Sequence, residues 1–284
     1  MSPPKLEGIA LRISQDLGLS SPKFVGKGAF KETFAVVDST GRLQALKIID
    51  ASKQNLKRTE REIEALRRCD CEGICRLFAH GTWKDNSGTV HEYYLEEFLG
   101  GGTLTDRLKG GKLSIGRVRV YGRDLAVAID HLKGHDLVHR DIKPDNIMFR
   151  EGEDRPVLVD LGLVRDLSIS SITESWIVTG PGTPYFASPE QLNNEKRLIS
   201  WKSDQFSLGI VLSICLLGRH PYDTGGLQPA EIVQAVAERK DVPIYFKVDA
   251  AEAGLPALAR MVEGWPIRRY QHPEEMIRVF VTSE

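Results

Sequence analysis

Cysteine is scarce in this chain: Cys69, Cys71, Cys75 and Cys215 are the only four in 284 residues. Three of them crowd into RRCDCEGIC. Neither a paired C-x-x-C nor an adjacent histidine pair supplies a fourth ligand, so a zinc site is not expected. These three read as reduced thiols in a helix-to-strand connection, and Cys215 reads as a core residue. Long apolar runs are missing as well. The longest, Phe206 to Leu217, is too short to cross a bilayer and reads as a buried helix. The opening MSPPKLEGIA lacks the apolar core of a secretory leader, so a cytoplasmic location is the default expectation. A strong charge of either sign is also absent. A formal net charge of -1 provides no field that would draw the chain to nucleic acid or to an anionic membrane. Basic residues are scattered with acids between them, so neither partner is expected. No internal repeat or low-complexity linker appears. The rest of the composition is ordinary, and the length suits one large domain or two lobes with a real core.

The order of patterns along the chain divides it. Residues 1–22 form a short lead-in, helical from Leu6 to Leu17. Three strand-like runs follow, FVGKGAF, TFAVVD and LQALKII, the last two separated by the turn STGR. In the first of these, Gly26 and Gly28 would let backbone N–H groups approach phosphate oxygens, because no Cβ stands in the way. Lys47 lies towards the end of an apolar strand. The next stretch, Ser52 to Arg68, is an amphipathic helix with Leu56, Ile63 and Leu66 on one face. One of Glu60, Glu62 and Glu64 could reach Lys47, and periodicity does not choose among them. Two more strands, ICRLFAHGTW and HEYYLEEFL, precede Gly100-Gly101-Gly102, the clearest boundary. Beyond it the pattern turns helical. Val118, Tyr121, Leu125, Ile129 and Leu132 mark a long helix with Ser114 as its cap. A hairpin-like pair, NIMF and PVLVD, comes next. The stretch from Leu167 to Thr179 is rich in Ser and Thr and lacks periodicity, as functional or disordered loops do. Asp204 begins the apolar helix. Further helices are expected over Pro229 to Arg239, over Leu255 to Trp265 and from Pro273.

Chemistry concentrates in LVHRDIKPDN, Leu137 to Asn146. It brings Asp141, Lys143 and Asn146 into one turn-rich segment, and Asp160 follows in VLVDLGL. A carboxylate, an ammonium and a carboxamide at fixed spacing, with another carboxylate downstream, suit phosphoryl transfer. One acid can orient a hydroxyl, the amide and the second acid can hold Mg²⁺, and the lysine can offset phosphate charge.

Taken in order, these motifs resemble the eukaryotic-like (Hanks-type) protein kinases, the Ser/Thr branch in particular, from about Phe24 to the C-terminus. The resemblance implies an α+β, bilobal fold. A small β-rich N-lobe with one main helix would cover residues 23–99, and a larger, mostly helical C-lobe residues 100–284. It implies ATP and Mg²⁺ as cofactors and transfer of the γ-phosphate to Ser/Thr hydroxyls of protein substrates, the chain itself included. By that match Asp141 orients the substrate hydroxyl and Lys143 contacts the transferred phosphate. Asn146 and Asp160 are the Mg²⁺ ligands. Gly26 and Gly28 belong to the glycine-rich loop, and Lys47 pairs with Glu62 and contacts the α/β-phosphates. Ala45 and Met148 lie above and below the adenine, which sits near the backbone of Glu97–Leu99. Glu190, in Ser188-Pro189-Glu190, should pair with Arg269, and Asp204 should brace the catalytic loop. Leu66, Leu77, His139 and Leu161 should stack between the lobes. Arg58, Arg140 and Arg165 would form a basic pocket for a phosphorylated loop residue. Thr179 is the first candidate for that phosphate, then Ser175 and Thr173, with self-association as the route to it.

The chain departs from the family's pattern at three places. Lys31 replaces the third glycine of the loop. Thr33 stands where a valine covers the adenine. Glu96 falls at the back of the adenine pocket, normally apolar or a threonine, where its carboxylate would compete with Glu62 for Lys47. These departures motivate a second reading, a pseudokinase acting as a nucleotide-gated scaffold. A third, a small-molecule phosphotransferase, is opposed by the peptide-docking stretch GTPYFASPEQL.

Overall fold

A computed structural model of the chain describes residues 5–27, 31–49, 63, 67–160, 165–166 and 184–281. Two compact units emerge, residues 1–70 with 75–100 and residues 71–74 with 101–284.

The first unit opens with helix α1 (Glu7–Asp16). An antiparallel sheet follows, β1 (Lys23–Lys27), β2 (Lys31–Val37), β3 (Leu43–Ile49), β4 (Leu77–Lys84) and β5 (Val90–Glu97), in spatial order β1-β2-β3-β5-β4. The STGR turn between β2 and β3 is closed by Asp38, whose carboxylate accepts the N–H groups of Thr40 at 2.8 Å and Arg42 at 3.0 Å. Side chains alternate across a pleated strand, so the sheet has two faces of different character. Phe34, Val36, Leu46, Ile48 and Leu95 share one face and are buried. Thr33, Ala45, Lys47 and Glu96 share the other, as the pairs Thr33↔Lys47 and Ala45↔Glu96 require. Of the helix expected between β3 and β4, the described residues Ile63 and Arg67 are helical, and Ile63 is buried.

The stretch that reads as a lead-in belongs to this core. Leu6, Ala10 and Ile13 recur at four- and three-residue spacing and pack with Phe34, Val36, Leu46, Ile48 and Leu95. Gly18, at φ 66°, ends the turn after the helix in the left-handed conformation that glycine adopts without strain. The start of α1 is held by a buried acid of β2. Glu32 accepts the N–H groups of Lys5 at 3.1 Å and Leu6 at 2.9 Å, and pairs with Lys27 Nζ at 2.9 Å. Burial opposes its charge, but the Leu6 N–H, Lys27 and the Lys5 N–H outweigh that and hold its carboxyl below the usual range. Glu32→Ala strands those donors at a partly buried helix start and should cost about 1–3 kcal/mol. Denaturant unfolding of the two proteins measures this, and a midpoint shared with the wild type would remove Glu32 from that role.

The second unit is mostly helical. It contains α2 (Leu104–Leu108), α3 (Ile115–Gly134), β6 (Leu137–Val138), β7 (Ile147–Phe149), β8 (Pro156–Leu158) and β9 (Arg165–Asp166). Then come α4 (Pro189–Leu192), α5 (Trp201–Leu217), α6 (Pro229–Ala237), α7 (Ile244–Glu252), α8 (Ala257–Met261) and α9 (Pro273–Val281). Two short antiparallel ribbons, β6 with β9 and β7 with β8, flank the LVHRDIKPDN segment. Helix α3 is the long amphipathic helix that the periodicity predicts, and Ser114 caps it by accepting the Arg117 N–H at 3.4 Å. Its Gly122 lies so close to α9 that an added Cβ would fall 2.5 Å from the Phe280 ring, so only glycine lets the two helices meet there. Helix α5 is buried nearly all round, and its polar groups are paired internally. Gln205, for example, exchanges hydrogen bonds with the Tyr270 backbone at 3.0 and 3.2 Å. Helix α7 is not expected from the sequence. It opens on Ile-Tyr-Phe, residues that favour strands, and it buries only Phe246 and Ala250.

Candidate active site

The segment from Leu137 to Asn146 runs from β6, through an irregular stretch, into a short 3₁₀ turn at Pro144–Asn146. Its backbone is pinned from outside. Asp204, near the start of α5, accepts the N–H groups of His139 and Arg140, each at 2.8 Å. Burial pushes the Asp204 carboxyl up to about 7, even though the Arg140 and His139 N–H groups pull it down. Gln191 of α4 donates to the Arg140 carbonyl at 2.8 Å. Arg140 is thereby held on both sides of its α-carbon at φ 72°, a left-handed conformation that a non-glycine residue keeps only when its surroundings impose it.

His139 is fully buried and orients the next residue. Its Nε2 lies 3.2 Å from the Val159 carbonyl, and its Nδ1 lies 3.3 Å from the Asp141 N–H. Both contacts are satisfied by a single neutral tautomer, with the proton on Nε2 and Nδ1 accepting. Burial favours that neutral form and holds the ring's pKa below its usual value.

Asp141 is the centre of a three-residue cluster. Its Oδ2 accepts from Lys143 Nζ at 2.8 Å and from Asn146 Nδ2 at 2.9 Å, and its backbone carbonyl accepts from Asn146 Nδ2 at 2.9 Å. The other carboxylate oxygen, Oδ1, makes no hydrogen bond among the described residues. The Val159 N–H donates to the Asn146 carbonyl at 3.0 Å, which ties the residue before Asp160 to the backbone of Asn146. Asp160 itself has φ 65°. Met148, half-buried on β7, bridges Thr103. Gly101 donates its N–H to the Phe149 carbonyl at 2.9 Å. A Cβ there would fall 2.4 Å from the Arg150 carbonyl oxygen, so glycine is required for that close approach.

In the first unit, Lys47 and Glu96 form an ion pair with side chains only 13% and 12% exposed. Lys47 faces Tyr94 across the strands, and Glu96 faces Ala45. Lys47 and Glu96 are thus diagonal neighbours on one face, within reach of long side chains. Cys75 Sγ lies 3.9 Å from the same Glu96 oxygen and 3.7 Å from the Glu97 carbonyl. The Glu97 N–H donates to the Arg76 carbonyl at 2.9 Å, Leu99 is buried, and Gly26 lies beside a β-bulge of β1. Gly28, Glu62, Arg58, Leu66, Leu161, Thr173, Ser175 and Thr179 lie outside the described residues.

A second charged pair is buried completely. Arg269 and Glu190 both have 0% side-chain exposure. The guanidinium donates to Glu190 Oε1 at 2.7 Å and Oε2 at 3.0 Å. It also donates to the carbonyls of Glu263 and Lys202, each at 2.8 Å, and of Gly264 at 3.3 Å. All five of its donors are used. Ser203 Oγ adds a bond to Glu190 Oε1 at 2.7 Å.

Gln191 is the positioning residue that motif reading misses. The available signal, Ser188-x-x-Gln191, points to a helix cap, and Ser188 Oγ does bond Gln191 Oε1 at 3.0 Å. The second use of the amide, on Arg140, is set by tertiary contact alone. All four cysteines are free thiols. No helix among the described residues is long and apolar enough to cross a membrane.

The family profile described as "Protein kinase domain" matches residues 19–262. Among curated proteins the chain is 31% identical over 246 residues to "Probable serine/threonine-protein kinase PknB" of Bifidobacterium longum, covering 83% of this chain and 34% of that protein. It is 30% identical over 220 residues to "CBL-interacting serine/threonine-protein kinase 20" of Arabidopsis thaliana, covering 76% of this chain and 47% of that one. It is 28% identical over 204 residues to "Calcium-dependent protein kinase 5" of Plasmodium berghei, covering 70% and 34% respectively. The chain thus spans a third to a half of the length of these relatives.

Proposed function

This chain belongs to the protein kinase family, and on that premise we propose that it transfers the γ-phosphate of ATP to serine and threonine hydroxyls of protein substrates. The observation that carries the reading is the Asp141–Lys143–Asn146 cluster on a backbone pinned by Asp204 and Gln191. With Oδ2 engaged, Oδ1 of Asp141 is the atom that orients the acceptor hydroxyl and takes its hydrogen bond. Lys143 offsets charge on the transferred phosphate. Both N–H groups of Asn146 are spent on Asp141, so its amide oxygen is the atom left to ligate a metal. An amide oxygen and the Asp160 carboxylate are hard ligands that fit Mg²⁺. When bound, the ion neutralises phosphate oxygens. Lys47 with Glu62, and the loop at Gly26 and Gly28, engage the phosphates. Ala45, Glu97, Leu99 and Met148 hold the adenine. A cytoplasmic location and self-phosphorylation at Thr179, Ser175 or Thr173 belong to the same reading.

The Lys47–Glu96 pair and Lys31 favour one alternative, a module that binds nucleotide without turning it over. Incubation with γ-labelled ATP, Mg²⁺ and a mixed protein substrate decides between them. Label on serine and threonine is expected, and phosphosite mapping of the chain itself should find Thr179. Nucleotide binding with no transferred label would establish the scaffold instead.

A further inference from the structure

The Lys47–Glu96 pair has no place in the phosphoryl-transfer scheme above. Lys47 belongs to the phosphate-binding set of that scheme, and the inference rests on that reading. Three features of the sheet create the pair. Glu96 lies directly across from Ala45, whose methyl group leaves room for a longer neighbour to fold over it. The diagonal position is Lys47, one pleat repeat along β3 on the same face. Among the described residues, the cross-strand partners of Glu96 are apolar, Ala45 on one side and Leu77 on the other, and the Cys75 thiol lies 3.9 Å from its carboxylate. With both side chains nearly nine-tenths buried, solvent screens the attraction far less than at a surface.

We propose that Glu96 is a built-in competitor for Lys47. Its carboxylate holds the ammonium when no nucleotide is bound, and the anionic phosphates must displace it. Glu96 is then a positioning residue that acts through Lys47. It lowers affinity for ligands that carry phosphate and leaves affinity for the uncharged nucleoside alone. The competition is charge against charge, so removing the carboxylate's charge relieves it without emptying the site.

The test compares ATP with adenosine on the full chain by calorimetric titration, for the wild type, Glu96→Gln and Glu96→Thr, with thermal melts to verify folding. In both variants the ATP dissociation constant should fall about threefold to tenfold, as expected for uncoupling a charged pair in contact. The adenosine constant should stay within about twofold. In a Lys47→Met background, Glu96→Gln should leave ATP binding unchanged. Unchanged or weaker ATP binding in both variants overturns the inference. So does an equal gain for ATP and adenosine, which would place Glu96's effect at the base. If the wild type binds and transfers phosphate while Glu96→Gln leaves ATP affinity unmoved, this inference fails alone. A wild type that binds neither ligand sinks the kinase reading as well.

Discussion

Asp141→Asn should reduce phosphoryl transfer by about 10²- to 10⁴-fold, the range for loss of a positioned acid–base group. The exchange is nearly isosteric, so the backbone held by Asp204, Gln191 and His139 should not move. What changes is the chemistry of one atom pair. The carboxylate receives two hydrogen bonds on Oδ2 and keeps Oδ1 as an acceptor among the described residues. An amide must turn its oxygen towards Lys143 and Asn146 to keep those bonds. Its NH₂ then stands where the acceptor stood, and a donor cannot take a hydroxyl's proton. The loss should fall on kcat, with nucleotide affinity preserved, because Asp141 is assigned to the acceptor and not to ATP. Single-turnover transfer with labelled ATP, alongside calorimetric ATP binding, separates the two. Activity within tenfold of wild type would take Asp141 out of its assigned role.

Arg269→Ala should destabilise the second unit by about 3–5 kcal/mol. Natural domains hold only about 5–15 kcal/mol in total, so soluble yield should drop as well. The magnitude follows from what is stranded. Glu190 would remain as a charge with 0% side-chain exposure, and three main-chain carbonyls would lose their donor. Arg269→Lys should recover only part of this, because an ammonium has three donors where the guanidinium uses five in a fixed fork. The pH dependence has a definite sign. Burial pushes the Glu190 carboxyl up, but Arg269 and Ser203 bring it below its ordinary 4.5. The pair's contribution is therefore present above pH 4.5 and lost as pH falls through the lowered value. In Arg269→Ala the unpaired, buried carboxyl shifts the other way, so the gap between the two proteins should narrow as pH is lowered. Urea unfolding between neutral and acid pH measures both the gap and its slope. A gap below about 1 kcal/mol at neutral pH would mean that water or a rearranged partner replaces the arginine.

Local chemistry was readable wherever one short stretch carries it. The spacing in LVHRDIKPDN is short enough for Asp141, Lys143 and Asn146 to meet through a single turn, and they do. The periodicity of Val118 to Leu132 and the Ser114 cap likewise yielded helix α3 with its buried face. Strand alternation gave the sheet's members. It did not say what would cover the apolar face, because a ten-residue helix with few buried positions looks like a lead-in until it has a partner. Helix α7 escaped for a related reason, since its opening residues favour strand and tertiary packing overrides that preference.

By itself, then, the sequence determined the two-part α+β organisation, the meeting of Asp141, Lys143 and Asn146 and the membership of the family. These depend on periodicity and on residues close along the chain. Tertiary structure alone decided that α1 completes the first unit's core and that Gln191 and Asp204 together hold Arg140 in a left-handed turn. It also decided that Glu96 reaches Lys47. Each of these is a meeting of residues far apart in sequence, such as Lys47 and Glu96 with a sequence separation of 49. Cross-strand register chooses the partner in that case. A one-residue slip would turn Glu96 to the opposite face and leave Lys47 without it.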